Sequence, residues 1–202
     1  MAYQGVKFRT VFRSHDAPSH PKLEELKKWC SLFQKTGLTP AYESGTYGNL
    51  SFRSEDFEQG FIITGSCLGR KDELEDRCFV EVASVDGKAG IVYAIGTREP
   101  SSEAMLHAAI YDKRSEVNAV FHGHCDKILQ SAEKLGLPVT EKEEAYGTKE
   151  LVDSVMKILG NKQFVIMRNH GFISIGGSME EAGSAALDML KKCSPGRTAE
   201  DR

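Results

Sequence analysis

The sequence predicts an α/β fold: a mixed sandwich in one domain, with a largely antiparallel sheet layered by helices. Three observations predict it. Short β-rich runs come first, adjacent to one another and separated by glycine and charged turns. Later runs alternate with segments whose apolar residues recur at helical spacing. No internal repeat or linker divides the 202 residues, and 40% hydrophobic content is enough for a sizeable core.

The elements follow in order. Over residues 1 to 14, Val6, Phe8, Thr10 and Phe12 alternate with Lys7, Arg9, Val11 and Arg13, the period of a half-buried strand. Residues 1–20 are therefore expected to form an N-terminal extension that adds an edge strand. Pro21 suits the first turn of a helix; Leu23, Leu26, Cys30 and Phe33 share one face of it, and Gly37 can end it. Strands are expected at 47–53, 61–64, 78–85 and 90–95. The next helix opens at Ser101 or Ser102, carries Glu103 in its first turn, where a carboxylate suits the dipole, and runs to 113. Then come a strand at 117–122, helices at 125–135 and 148–159, strands at 164–167 and 172–175, and a helix at 179–192. Residues 21–192 thus form the domain, and 193–202, rich in Ser, Pro, Gly and charge, read as a mobile tail.

Charge and composition exclude several classes of partner. The net charge is -3, there is no basic run, and no apolar stretch approaches about 18 residues, so neither nucleic acid nor a bilayer is implied. The five cysteines are odd in number and lack C-x-x-C spacing, and no charged start leads into an apolar segment, which suits reduced thiols in a cytoplasm. Without a secretory signal, Asn49-Leu50-Ser51 is not read as a glycosylation site.

The chemistry concentrates in the histidines. Residues two apart on a strand face the same side, so His122 and His124 can grip one ion, and His170 in Asn169-His170-Gly171 can close the site from another segment. Three neutral imidazoles bind zinc at about 2.0–2.1 Å and leave a position open, whereas a structural zinc takes four protein ligands. Cys125 is turned away by the same alternation. His107 follows Glu103 by four residues on a helix face and reads as a partly buried histidine bonding a neighbour, outside the ligand set.

Six blocks occur in order: Gly45-Thr46-Tyr47-Gly48-Asn49-Leu50-Ser51-Phe52-Arg53, Ile63-Thr64-Gly65-Ser66, Pro100-Ser101-Ser102-Glu103, His122-Gly123-His124, Tyr146-Gly147-Thr148-Lys149-Glu150-Leu151 and Asn169-His170-Gly171. On these blocks the chain resembles the class II aldolase and adducin family over roughly residues 21–192. The resemblance implies a three-layer α/β/α sandwich and zinc, or another divalent metal, on His122, His124 and His170. It implies Glu103 as acid/base and a phosphate pocket at Gly48, Asn49, Thr64, Gly65, Ser101 and Ser102. Glycines, hydroxyls and an opening helix are groups that suit a phosphate.

The same resemblance implies a homotetramer acting on a small phosphorylated sugar. The expected activity is cleavage of a ketose 1-phosphate to dihydroxyacetone phosphate and an aldehyde through a metal-stabilised enediolate. Epimerase, dehydratase or decarboxylase chemistry on the same metal, or a non-catalytic adducin-like module, are the alternatives. Some family members supply a tyrosine acid from a neighbouring subunit; residues 125–144 contain none, and Tyr146 is the nearest candidate.

Overall fold

Eight strands form one sheet in the computed structural model, which describes residues 5–43, 45–54, 57 and 60–193. The chain runs β1 (Arg9–Ser14), α1 (Leu23–Thr36), β2 (Ala41–Tyr42), β3 (Gly45–Thr46), β4 (Asn49–Arg53), β5 (Phe61–Thr64), β6 (Phe79–Asp86) and β7 (Ile91–Ile95). It continues through α2 (Ala104–Lys113), β8 (Ala119–Gly123), α3 (Asp126–Gln130), α4 (Lys149–Leu159), β9 (Phe164–Met167), β10 (Gly171–Gly176) and α5 (Met179–Cys193). The large sheet has the order β1-β7-β6-β5-β4-β8-β10-β9, while β2 and β3 pair separately. Every neighbouring pair in it is antiparallel except β1 with β7. The N-terminal strand therefore occupies an edge, as its alternation suggests.

Strand alternation feeds two cores. Leu50 and Phe52 of β4, Phe121 of β8 and Phe172 of β10 face α1, α3 and α5, where Trp29, Phe33 and Ala186 are buried. Val120 of β8 and Ile173 and Ile175 of β10 face α2 and α4, where Leu106, Ile110, Leu151 and Val155 are buried. Helices thus cover both faces, giving the three-layer α/β/α sandwich.

Two helices differ from their sequence expectation. The expected helix at 125–135 is α3 alone, and the chain then closes short turns, Ala132 N–H on Leu129 O and Gly136 N–H on Glu133 O. Those turns bring Leu137 onto the core, which a straight continuation would not. The helix expected from Ser101 begins at Ala104, leaving Glu103 in the capping position without a side-chain capping bond. Its carboxylate is held by another strand instead. The tail expected at 193–202 lies outside the described residues except for Cys193. Among the described residues, no helix is long and apolar enough to cross a membrane.

Candidate active site

The site forms on the α2 side of the sheet, at the end where β4 begins and β8 finishes. Asn49 pairs with His122 across these strands, so both side chains leave the same face. His122 is buried, and its Nδ1 lies 2.9 Å from Phe172 O on the neighbouring β10. A carbonyl only accepts, so Nδ1 carries the proton and Nε2 presents a lone pair. That is the tautomer and outer-shell contact a metal-ligating imidazole needs.

His124 follows β8, anchored by its N–H on Leu38 O, and its Nε2 lies 3.0 Å from His122 Nε2. His170 sits in the tight turn between β9 and β10, behind Asn169 with φ 54°. Gly171 lets this turn close in: a Cβ there would lie 2.4 Å from Gly123 O and 2.8 Å from His122 Cε1. The ring nitrogens of His122, His124 and His170 lie within 4.8 Å of one another.

Burial holds all three imidazoles below their usual range, that of His122 to about 4, so they are neutral at pH 7. Neighbouring imidazoles depress His124 further, and the Glu103 charge offsets part of the shift in His122 and His170. Three neutral nitrogens converging in a buried place are the donor set that zinc or a similar divalent ion takes.

Glu103 is 6% exposed and meets this cluster from α2. Its Oε2 accepts a 2.7 Å bond from Asn49 Nδ2, and its Oε1 lies 3.7 Å from His170 Nε2. The bond to Asn49 explains why the carboxylate does not cap its own helix.

The residues expected around a phosphate converge beside it. The Thr64 hydroxyl, at the end of β5, accepts from Leu50 N–H, and Thr64 O accepts from Ser101 N–H. Gly65 bridges to Pro100. Gly48 and Asn49, Thr64 and Gly65, and Ser101 and Ser102 are thus three neighbouring backbone segments meeting where α2 opens.

His107 is fully buried rather than partly so, and it stays outside the triad. Ser51 Oγ lies 2.7 Å from its Nδ1 and 2.8 Å from Tyr111 OH. Cys125 is not in the cluster, and Tyr146 lies under Lys7, whose Nζ is 4.4 Å from the ring centroid. Two further side chains, to which the sequence reading gives no role, border the site. The Tyr47 ring stacks on His124 with centroids 4.7 Å apart, and Lys71 is buried against the backbone of the Gly48 segment.

A family model for the class II aldolase and adducin N-terminal domain matches residues 24–194. The chain belongs to this family. It is 31% identical to the L-fuculose phosphate aldolase of Methanococcus vannielii over 176 residues, covering 79% of this chain and 87% of that one. It is 25% identical to the 3-oxo-tetronate 4-phosphate decarboxylase of Escherichia coli strain K12, covering 80% and 79%. A solved L-fuculose 1-phosphate aldolase superposes with a TM-score of 0.69 at 25% identity, covering 88% of this chain and 84% of that one. The fold of this class II aldolase family member is accordingly that of its solved relatives.

Proposed function

We propose that the protein is a zinc-dependent aldehyde-lyase that cleaves a small ketose 1-phosphate to dihydroxyacetone phosphate and an aldehyde. The observation carrying this reading is the meeting of three neutral imidazoles with a buried carboxylate, Glu103 Oε1 standing 3.7 Å from His170 Nε2. His122, His124 and His170 would hold the ion, which when bound supplies Lewis-acid polarisation of a substrate carbonyl. Asn49 fixes one oxygen of Glu103 and leaves the other facing the triad, where it can pass a proton to or from the substrate carbon. Gly48, Asn49, Thr64, Gly65, Ser101 and Ser102 would grip the phosphate, so that the reacting carbon is delivered to Glu103. Positioning of this kind contributes several kcal/mol in favourable systems, up to roughly 7–11. The same reading gives a cytoplasmic homotetramer built on residues 21–192.

The test is release of dihydroxyacetone phosphate from a panel of ketose 1-phosphates by zinc-loaded protein, with Glu103→Gln alongside. Glutamine keeps the shape and removes the proton-carrying oxygen, so turnover should fall by at least about 100-fold. A Glu103→Gln protein as active as the unmodified one would remove the carboxylate from the reaction. A second reading, decarboxylation or another bond cleavage on the same site, is favoured by the likeness to the 3-oxo-tetronate 4-phosphate decarboxylase. No release from any ketose by a protein that holds zinc would select it.

A further inference from the structure

Lys71 lies in the charged run Arg70-Lys71-Asp72-Glu73, yet it is 2% exposed. Its Nζ donates to Tyr47 O at 2.7 Å and to Gly48 O. Among the described residues these are the hydrogen bonds of its ammonium group, and no carboxylate forms an ion pair with it. Gly48 packs against His122, a Cβ there lying 2.5 Å from His122 O, which places the ammonium beside the triad. Burial lowers its pKa to about 8, and Cys30 and Glu103 hold it up, so it is mainly a cation at pH 7. A buried cation that no carboxylate pairs directly is costly, and an anion bound nearby relieves that cost.

The geometry says how. Among the described residues no peptide bond is cis, and in a trans peptide the carbonyl and the N–H point to opposite sides. An ammonium on Tyr47 O therefore turns the Gly48 N–H away from Lys71. Gly48 has φ 74°, and a Cβ there would lie 2.5 Å from His122 O, so the backbone is pressed against β8 and cannot easily rotate. A charged donor on the carbonyl also polarises the peptide, which makes its N–H a stronger donor.

We propose that Lys71 is a positioning residue for substrate, clamping the Tyr47–Gly48 peptide from behind so that the Gly48 amide faces a phosphate monoester, whose charge it balances. This inference rests on the phosphorylated-substrate reading above. It assigns the positive charge of the pocket to a side chain that acts through the backbone.

The experiment uses the zinc-loaded full chain with Lys71→Gln and Lys71→Met, and inorganic phosphate as the probe in titration calorimetry. Both variants should bind phosphate at least about tenfold more weakly, the scale of a lost hydrogen bond to a charged group. KM for the ketose phosphate should rise more than kcat falls, with zinc per chain unchanged. Phosphate affinity within twofold of the unmodified protein would overturn the proposal. In the unmodified, nitrogen-15-labelled protein, the Gly48 amide resonance should shift on phosphate addition, whether or not the variants fold. A Gly48 signal that stays in place while phosphate binds overturns the role of Lys71 alone. An unmodified protein that takes up no phosphate removes the phosphorylated-substrate reading, and this inference with it.

Discussion

Ser51→Ala tests the support behind the active site. Ser51 is fully buried in β4, and its hydroxyl joins His107 Nδ1 at 2.7 Å to Tyr111 OH at 2.8 Å. Burial lowers His107 well below the usual histidine range and raises the Tyr111 phenol well above its own, so both groups are neutral and neither can recover its bond by ionising. Alanine leaves the buried His107 Nδ1 unpartnered and takes one bond from the Tyr111 hydroxyl, which keeps the Val120 backbone, at roughly 2–3 kcal/mol together. Against a total stability of about 5–15 kcal/mol this is a large fraction. Urea unfolding at matched protein concentration should show the midpoint falling by roughly 1 M. His107→Leu gives the contrast. His107 Nε2 already has no hydrogen-bond partner among the described residues, so leucine removes an unsatisfied atom along with the bond and should cost less than Ser51→Ala. Neither change touches the triad, so zinc uptake should stay at the unmodified level. A Ser51→Ala midpoint within about 0.2 M of the unmodified protein, or a larger loss for His107→Leu, would refute this account of the network.

His170→Ala should lower zinc affinity at least about tenfold in equilibrium dialysis, since two imidazoles remain of three; unchanged affinity would place the ion elsewhere. In chelated protein, His122 binds its proton at about 4 when folded and near 6.5 when unfolded, so the unfolded chain holds more protons between those values. Its contribution, roughly 3 kcal/mol, is complete above pH 6.5 and is lost as pH falls towards 4. Stability that stays flat over this window in unfolding titrations would contradict the burial of a neutral His122.

The strand period and the order of the blocks made the site's outline legible. Alternation alone puts His122 and His124 on one side, and the glycine after His170 fits the closeness of the turn to β8. The two-residue period at the N-terminus likewise anticipated the edge strand β1. The direction of a carboxylate was not legible, because Glu103 suits a helix start in sequence while its partner, Asn49, lies 54 positions earlier. Nor was the burial of Lys71: a lysine among charged neighbours reads as solvated surface, and only the path of the Tyr47–Gly48 backbone gives its ammonium two carbonyls. That His107 is buried and bonds a neighbour was legible, but Ser51 as its partner was hidden for the same reason, as the two belong to a strand and a helix that meet only in the fold.

The strand order also fixes when the site can exist during synthesis. β10 lies between β8 and β9, and His170 precedes it directly, 46 positions after His124 (170 minus 124). A nascent chain that has emerged just past β8, through His124, carries two of the imidazoles but neither the third nor the Phe172 carbonyl that sets the tautomer of His122. Tight metal capture must therefore wait until the β9–β10 hairpin has closed. An ion held by the three imidazoles would bind the finished fold in preference to its precursors and stabilise it by mass action, so metal supply would act on the last stage of folding.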